Sequence, residues 1–174
     1  IDPSSLGYRG EDKLQDFARG KSNQISVFMD SSGKVFSLPS HSLPSARGMG
    51  EPISGRVTAE SGVSFISSLV GDLEDKYIFT NSAGYGYISE FSNTVSNKKT
   101  GKAFMKVPDG ASLLKAQKLK SEHEYIAAVS NIGKLLIFKI DELPILPKGK
   151  GNKIINIPTA KFKICVKKDQ VIDF

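Results

Sequence analysis

The chain has no tryptophan, a single cysteine and only two histidines among its 174 residues. One cysteine rules out an internal disulfide framework and fits a reducing compartment. His41 and His123 stand 82 positions apart with no cysteine or acidic spacing around them, so metal-site chemistry has no sequence support. No apolar run reaches the length of a membrane-spanning helix, and no signal peptide opens the sequence. Helix-turn-helix and zinc-finger spacings are also missing, which argues against base-specific readout of nucleic acid. Gly20-Lys21-Ser22 has the tail of a phosphate-binding loop, but the upstream glycine would fall at Gln15, so that motif fails. Cys165 alternates with Phe162, Ile164 and Val166 and has no histidine nearby, the pattern of an inert thiol. The chain begins with Ile1, in the middle of a pattern, and is read as a piece of a longer protein.

What the sequence does contain is a repeat. Val27–Phe36, Ile78–Tyr87 and Ala127–Leu136 each read as an apolar strand, a short polar turn with glycine near its end, and a second apolar strand. The pivot glycines Gly33, Gly84 and Gly133 are 51 and 49 positions apart. Each copy is a hairpin signature, and a period of this size in strand-rich sequence marks a circular or stacked β array. After each hairpin comes an apolar residue, Leu43, Val95 or Leu143, and then a glycine-bearing connector. A third strand is expected around 53–57, 103–107 and 154–157, and a fourth after the turns at Gly62 and Gly110. Four strands per unit is the strand count of a propeller blade. The expected fold class is all-β, a propeller-like array of four-stranded repeats of about 50 residues, open rather than closed. The expected units are 21–72, 73–122 and 123–167, with 1–20 ending a preceding blade and 168–174 starting a following one. Phe28, Phe36, Phe79, Tyr87 and Phe138 fall on hairpin strands and are expected in the core.

Charge is placed unevenly. Of the net +6, the stretches 43–56, 93–106 and 143–153 together carry +8, leaving −2 for everything else. Occupying equivalent places in each repeat, they predict a row of basic patches along a curved rim, the electrostatic footprint of a polyanion site. The candidate contacts are Lys21, Arg47, Arg56, Lys98, Lys99, Lys102, Lys106, Lys148, Lys150 and Lys153. Glycines beside these lysines are expected to free backbone amides for an oxyanion, while lysine adds charge without strict geometry. Duplex DNA held by charge is the favoured ligand, and an acidic protein partner on the same rim is the alternative. Asp72, Glu74 and Asp75 read as a solvated acidic turn with at most weak cation affinity.

Four segments carry a family resemblance. They are Leu43-Pro44-Ser45-Ala46-Arg47-Gly48-Met49-Gly50-Glu51-Pro52-Ile53-Ser54-Gly55, Gly20-Lys21-Ser22-Asn23-Gln24, Ser82-Ala83-Gly84-Tyr85-Gly86-Tyr87, and the stretch from Lys148 through Gly151 to Pro158. In order and spacing they resemble the C-terminal domain of the A subunit of bacterial topoisomerase IV, the ParC family. The resemblance covers nearly the whole chain. It implies a β-pinwheel, whose blades exchange strands with their neighbours and whose basic rim binds and bends DNA. The related gyrase A subunit carries a box resembling Gln-Arg-Arg-Gly-Gly-Lys-Gly. The nearest string here, Pro147-Lys148-Gly149-Lys150-Gly151, lacks the glutamine and the paired arginines. That departure points to topoisomerase IV, with the gyrase wrapping domain as the alternative.

The resemblance places the catalytic tyrosine outside this region, so Tyr8, Tyr77, Tyr85, Tyr87 and Tyr125 are not assigned that role and no catalytic residue is expected here. It also implies that ATP and Mg bind elsewhere in the parent enzyme, with no cofactor in this fragment. The implied partners are double-stranded DNA, the topoisomerase IV B subunit, the A-subunit dimer of an A2B2 assembly, and a chromosome-organising condensin-type protein. The implied location is the bacterial cytoplasm, on the nucleoid or peripherally at the cytoplasmic face of the inner membrane.

Overall fold

The computed structural model describes residues 7–156 apart from Arg9, Asp12, Ala46, Arg47, Met49 and Ile132. Ten strands and four short 3-10 turns make up its regular structure, with no α-helix among the described residues. The hairpins form where alternation and turn chemistry require them. β1 (Ile25–Asp30) pairs with β2 (Lys34–Pro39), and β4 (Lys76–Thr80) pairs with β5 (Tyr85–Glu90). The third hairpin joins β8 (Tyr125–Val129) to β9 (Leu135–Lys139). Each turn is organised by a residue at, or just after, the end of its first strand. Asp30 Oδ1 accepts from the amides of Ser32 and Lys34, Asn81 Oδ1 from those of Ala83 and Tyr85, and Ser130 Oγ from that of Lys134. Asp, Asn and Ser are the residues whose short side chains can close a turn this way.

Each of the first two hairpins is extended to four strands. β3 (Phe65–Gly71) pairs with the outside of β1, and β7 (Gln117–Lys118) with the outside of β4. The fourth strand of each sheet comes from the next repeat. β6 (Lys102–Ala103) pairs with β2, and β10 (Asn152–Lys153) pairs with β5. The sheet orders are therefore β3-β1-β2-β6 and β10-β5-β4-β7, while β8 and β9 form a two-stranded sheet among the described residues. The architecture is an all-β, open, propeller-like strip of antiparallel sheets.

Three expectations change. Residues 53–55 form a 3-10 turn and not a third strand, while the equivalent strands in later repeats are two residues long and belong to the preceding sheet. The fourth strand also starts later than its turn implied, at Phe65 and at Gln117. Residues 13–20, part of the stretch expected to end a preceding blade with a strand over 10–19, form no strand. They run beside the first sheet, where the Ser68 amide donates to Asp16 Oδ2 and Lys115 pairs with Asp16. Cys165 and the segment expected to open a following blade, 168–174, lie outside the described residues.

The core lies between sheets. Along β4 and β5, Tyr77, Phe79 and Tyr87 face the first sheet and pack with Val27, Met29, Val35 and Leu69. Ile78 and Ile88 point the other way, towards Ile126 and Leu143 of the third repeat. A sheet covered on both faces needs near-continuous apolar strands, which explains the run Tyr77-Ile78-Phe79. Phe104 and Met105, just beyond β6, are buried in the same cluster. The Phe104 ring meets Phe79 edge-on at 4.7 Å, and the Tyr87 hydroxyl donates to the Phe104 carbonyl at 3.2 Å. Burying one such ring is worth about 1.5–3 kcal/mol. Phe36, Phe79 and Tyr87 are buried as expected, whereas Phe28 and Phe138 are only half-buried.

Candidate nucleic-acid interface

The second and third connectors complete the β2 and β5 edges of the first two hairpins through β6 and β10, and they are hydrogen-bonded to each other. The Thr58 amide donates to the Lys99 carbonyl at 2.8 Å, tying the segment just after the first connector to the second. The second is tied to the third by Gly149 N–H to Phe104 O and Lys106 N–H to Gly149 O, each 2.9 Å. Residues far apart in sequence thus form one continuous edge.

Close approach explains the connector glycines. A methyl group built at Gly151 would lie 2.2 Å from the Gly86 carbonyl oxygen, and one at Gly101 would lie 2.7 Å from the Phe36 ring. Both glycines also have positive φ, +78° and +71°. The expected phosphate-cradling role of the amides does not hold for two of them. Gly101 N–H donates to Lys98 O and Gly149 N–H to Phe104 O, so both are already committed within the protein. The charge on this edge is carried by side chains.

Those side chains fall into three groups. Lys98, Lys99, Lys106 and Lys148 are exposed and form no side-chain ion pair among the described residues; Lys21 is exposed as well but lies outside the connectors, in the turn before β1, where its amide donates to Gln24 Oε1. Lys102 is tethered, its Nζ donating to the Asn93 carbonyl at 2.8 Å. Lys150 Nζ sits 3.8 Å above the centroid of the Tyr85 ring, and Lys153 Nζ lies 5.9 Å from the same centroid. Arg56 is engaged elsewhere, pairing with Glu51 at 2.6 Å and donating to the Ser42 carbonyl. Arg47 lies outside the described residues.

Acidic groups are used locally. Asp75 accepts from the Asp72 amide and from Lys118, and Gln24 donates to Asp72, so the acidic turn is an internal clasp. Burial pushes the Asp75 carboxyl up, but the Lys118 and Asp72 hydrogen bonds and the Lys118 charge outweigh it and hold it below the usual range. Lys34 pairs with Glu60, whose hydrogen bond raises the lysine above its ordinary value even though slight desolvation opposes it. Sequence reasoning missed this pair, although Lys34 follows the first pivot glycine as Tyr85 and Lys134 follow the others. Among the described residues no cluster of three or more His, Cys, Asp and Glu could hold a metal ion.

A strip of sheets that exchange edge strands, with lysines along the exchanged edge, defines a class: the propeller-like C-terminal domains of the A subunits of bacterial type II topoisomerases. The profile described as "DNA gyrase C-terminal domain, beta-propeller" matches residues 124–159. The A subunit of DNA topoisomerase 4 from Pseudomonas aeruginosa is 44% identical over 91% of this chain, and the A subunit from Escherichia coli K12 is 37% identical over 92%. The chain spans 21% of the length of each of those proteins. The solved E. coli ParC C-terminal domain superposes with a TM-score of 0.86 at 34% identity, covering 97% of this chain and 70% of that one. A DNA gyrase A C-terminal domain structure, at TM-score 0.69 and 15% identity over 95% of this chain and 54% of that one, shares the fold. The chain belongs to the family of topoisomerase IV A-subunit (ParC) C-terminal domains, and its fold is the β-pinwheel.

Proposed function

We propose that this chain is the DNA-binding and DNA-bending accessory domain of a type II topoisomerase. The observation that carries this reading is the stitched edge, where the second and third connectors are hydrogen-bonded to each other and present lysines with no ion-pair partner among the described residues. Lysine as a mobile point charge suits a phosphodiester backbone held regardless of sequence. In the parent enzyme the domain would curve one duplex beside the cleavage gate, raising the effective concentration of a second segment for ATP-dependent strand passage, decatenation and relaxation. The cutting chemistry, ATP and Mg would reside outside it, with the B subunit and the A-subunit dimer completing an A2B2 assembly on the nucleoid.

The test uses mobility shifts with random-sequence duplexes of increasing length. Affinity should rise until the duplex spans the edge, whereas a surface built for an acidic protein would bind every length poorly. Replacing Lys98, Lys99 and Lys102 together, or Lys148, Lys150 and Lys153, by Ala should weaken binding several-fold and reduce the salt slope by about one for each phosphate no longer neutralised. Replacing Asp72 and Glu74 should not. The gyrase-type alternative draws on the family profile that matches residues 124–159. It requires ATP-driven negative supercoiling by the intact enzyme, which the missing glutamine-arginine box argues against.

A further inference from the structure

We propose that Tyr85 is a positioning residue that gathers Lys150 and Lys153 into one preformed dicationic point for a phosphodiester backbone. The inference rests on the DNA-binding reading above and assigns the point on the edge where the backbone is gripped. Tyr85 stands opposite Lys153 in the β5–β10 ladder, and its half-exposed ring lies under both ammonium groups, at 3.8 Å and 5.9 Å. Two like charges brought onto one ring repel each other, and the electron-rich face of the ring offsets part of that cost. Neither lysine has an ion-pair partner among the described residues, so the pair is left with excess positive charge beside an aromatic face. An anionic ligand supplies the missing counter-charge. Because the lysines are already gathered, less side-chain freedom is lost on binding.

The preceding repeat shows that this arrangement is not a requirement of the fold. There the residue after the pivot glycine is Lys34, it faces Ala103 across the ladder, and it is neutralised by Glu60. The same backbone is built with no aromatic ring and no lysine pair. The grip should therefore be uneven, strongest at the third connector.

Three readouts on the 174-residue chain test this. Without DNA, the ε-CH2 protons of Lys150 should be shifted upfield by the Tyr85 ring relative to those of exposed Lys98. Tyr85→Leu should abolish the shift and Tyr85→Phe should keep it. With a random-sequence duplex, Tyr85→Leu should weaken binding about threefold, and Tyr85→Phe should restore it. The slope of log affinity against log salt should stay unchanged, because no lysine is removed. If the Lys150 and Lys98 shifts coincide in the parent chain, the inference fails and the DNA-binding reading is untouched. If the shift is lost in Tyr85→Leu while affinity holds, positioning fails. If the parent chain binds no duplex at all, the DNA-binding reading fails, and the inference fails with it. Should Tyr85→Leu not fold, Tyr85→Thr keeps the strand propensity without the ring and serves the same comparison.

Discussion

Replacing Gly33 or Gly133 by alanine makes the same chemical change at the same place in the repeat, with different expected costs. Both residues have positive φ, +87° and +80°, so each alanine carries the left-handed penalty of about 1–2 kcal/mol. At Gly133 that is the whole effect, because nothing lies within 4 Å of the new methyl. At Gly33 the methyl would sit 1.9 Å from the Met105 carbonyl oxygen and 2.9 Å from its carbon. The clash is with backbone, so the connector itself must move. It is held there by the Phe104 and Met105 amides, which both donate to Gly33 O at 3.0 and 2.9 Å. Losing those bonds costs about 1 kcal/mol each, and loosening Phe104 exposes part of a ring that is 2% accessible. Gly33→Ala should therefore cost about 3–5 kcal/mol, against about 1–2 for Gly133→Ala. Urea denaturation followed by circular dichroism and tyrosine fluorescence measures both, and amide exchange at Met105 should accelerate only in Gly33→Ala. Equal destabilisation by the two substitutions would show that the exchanged strand does not constrain the hairpin, and the reasoning would be wrong.

The core and the titratable groups yield three further expectations. Phe104→Ala should cost about 3–5 kcal/mol, seen as a lower urea midpoint, because the ring fills the space between two sheets. Asp75, held below the usual carboxylate range, contributes stability that is complete above its unfolded pKa of about 4 and fades as pH falls through its folded value. Asp75→Asn should remove that acid-side component, worth about 0.5–1 kcal/mol for a partly exposed pair, in urea midpoints measured between neutral and acid pH. Tyr77 is pushed up to about 12 by burial and by the Asp75 charge, and burial pushes Tyr87 higher still against an opposing backbone hydrogen bond at Gly149. Their stabilisation is intact below the unfolded tyrosine value of about 10 and is lost as pH rises through the folded ones. Phenolate absorbance should show a late step that coincides with unfolding, and Tyr77→Phe should shrink that step.

The hairpins were legible because alternation and turn chemistry are local. Val27–Phe36 and Ile78–Tyr87 need only neighbours in sequence to declare themselves. The exchanged strands were not legible in the same way. Lys102 pairs with Val35 across 67 positions, and nothing in a two-residue strand says which edge it completes. Ile53–Gly55 illustrates the converse, since its repeat position promised a strand and it folds as a 3-10 turn. Half-burial of Phe28 and Phe138 also escaped the pattern, because alternation gives a face without saying what covers it. For the site, the overall placement of charge was readable, but its commitments were not. Arg56 is occupied by Glu51 and Lys34 by Glu60, and both pairings depend on turns whose shape the sequence did not show.

The lysine-bearing edge is also the edge that joins one repeat to the next, and this has a mechanical consequence. Lys102 and Lys153 sit on β6 and β10, strands whose ladder partners belong to the preceding hairpin. A pull on Lys153 is therefore resisted first by β5 and only afterwards by the hairpin of its own repeat. Ladder bonds lie across the strand direction, so a load along the connector shears them together and does not peel them one at a time. If a duplex is bent around this edge, its elastic recoil is spread as tension between neighbours. The stiffness of the strip is then set by short exchanged ladders, and it could be tuned at Gly101 or Gly151 without altering a single charge.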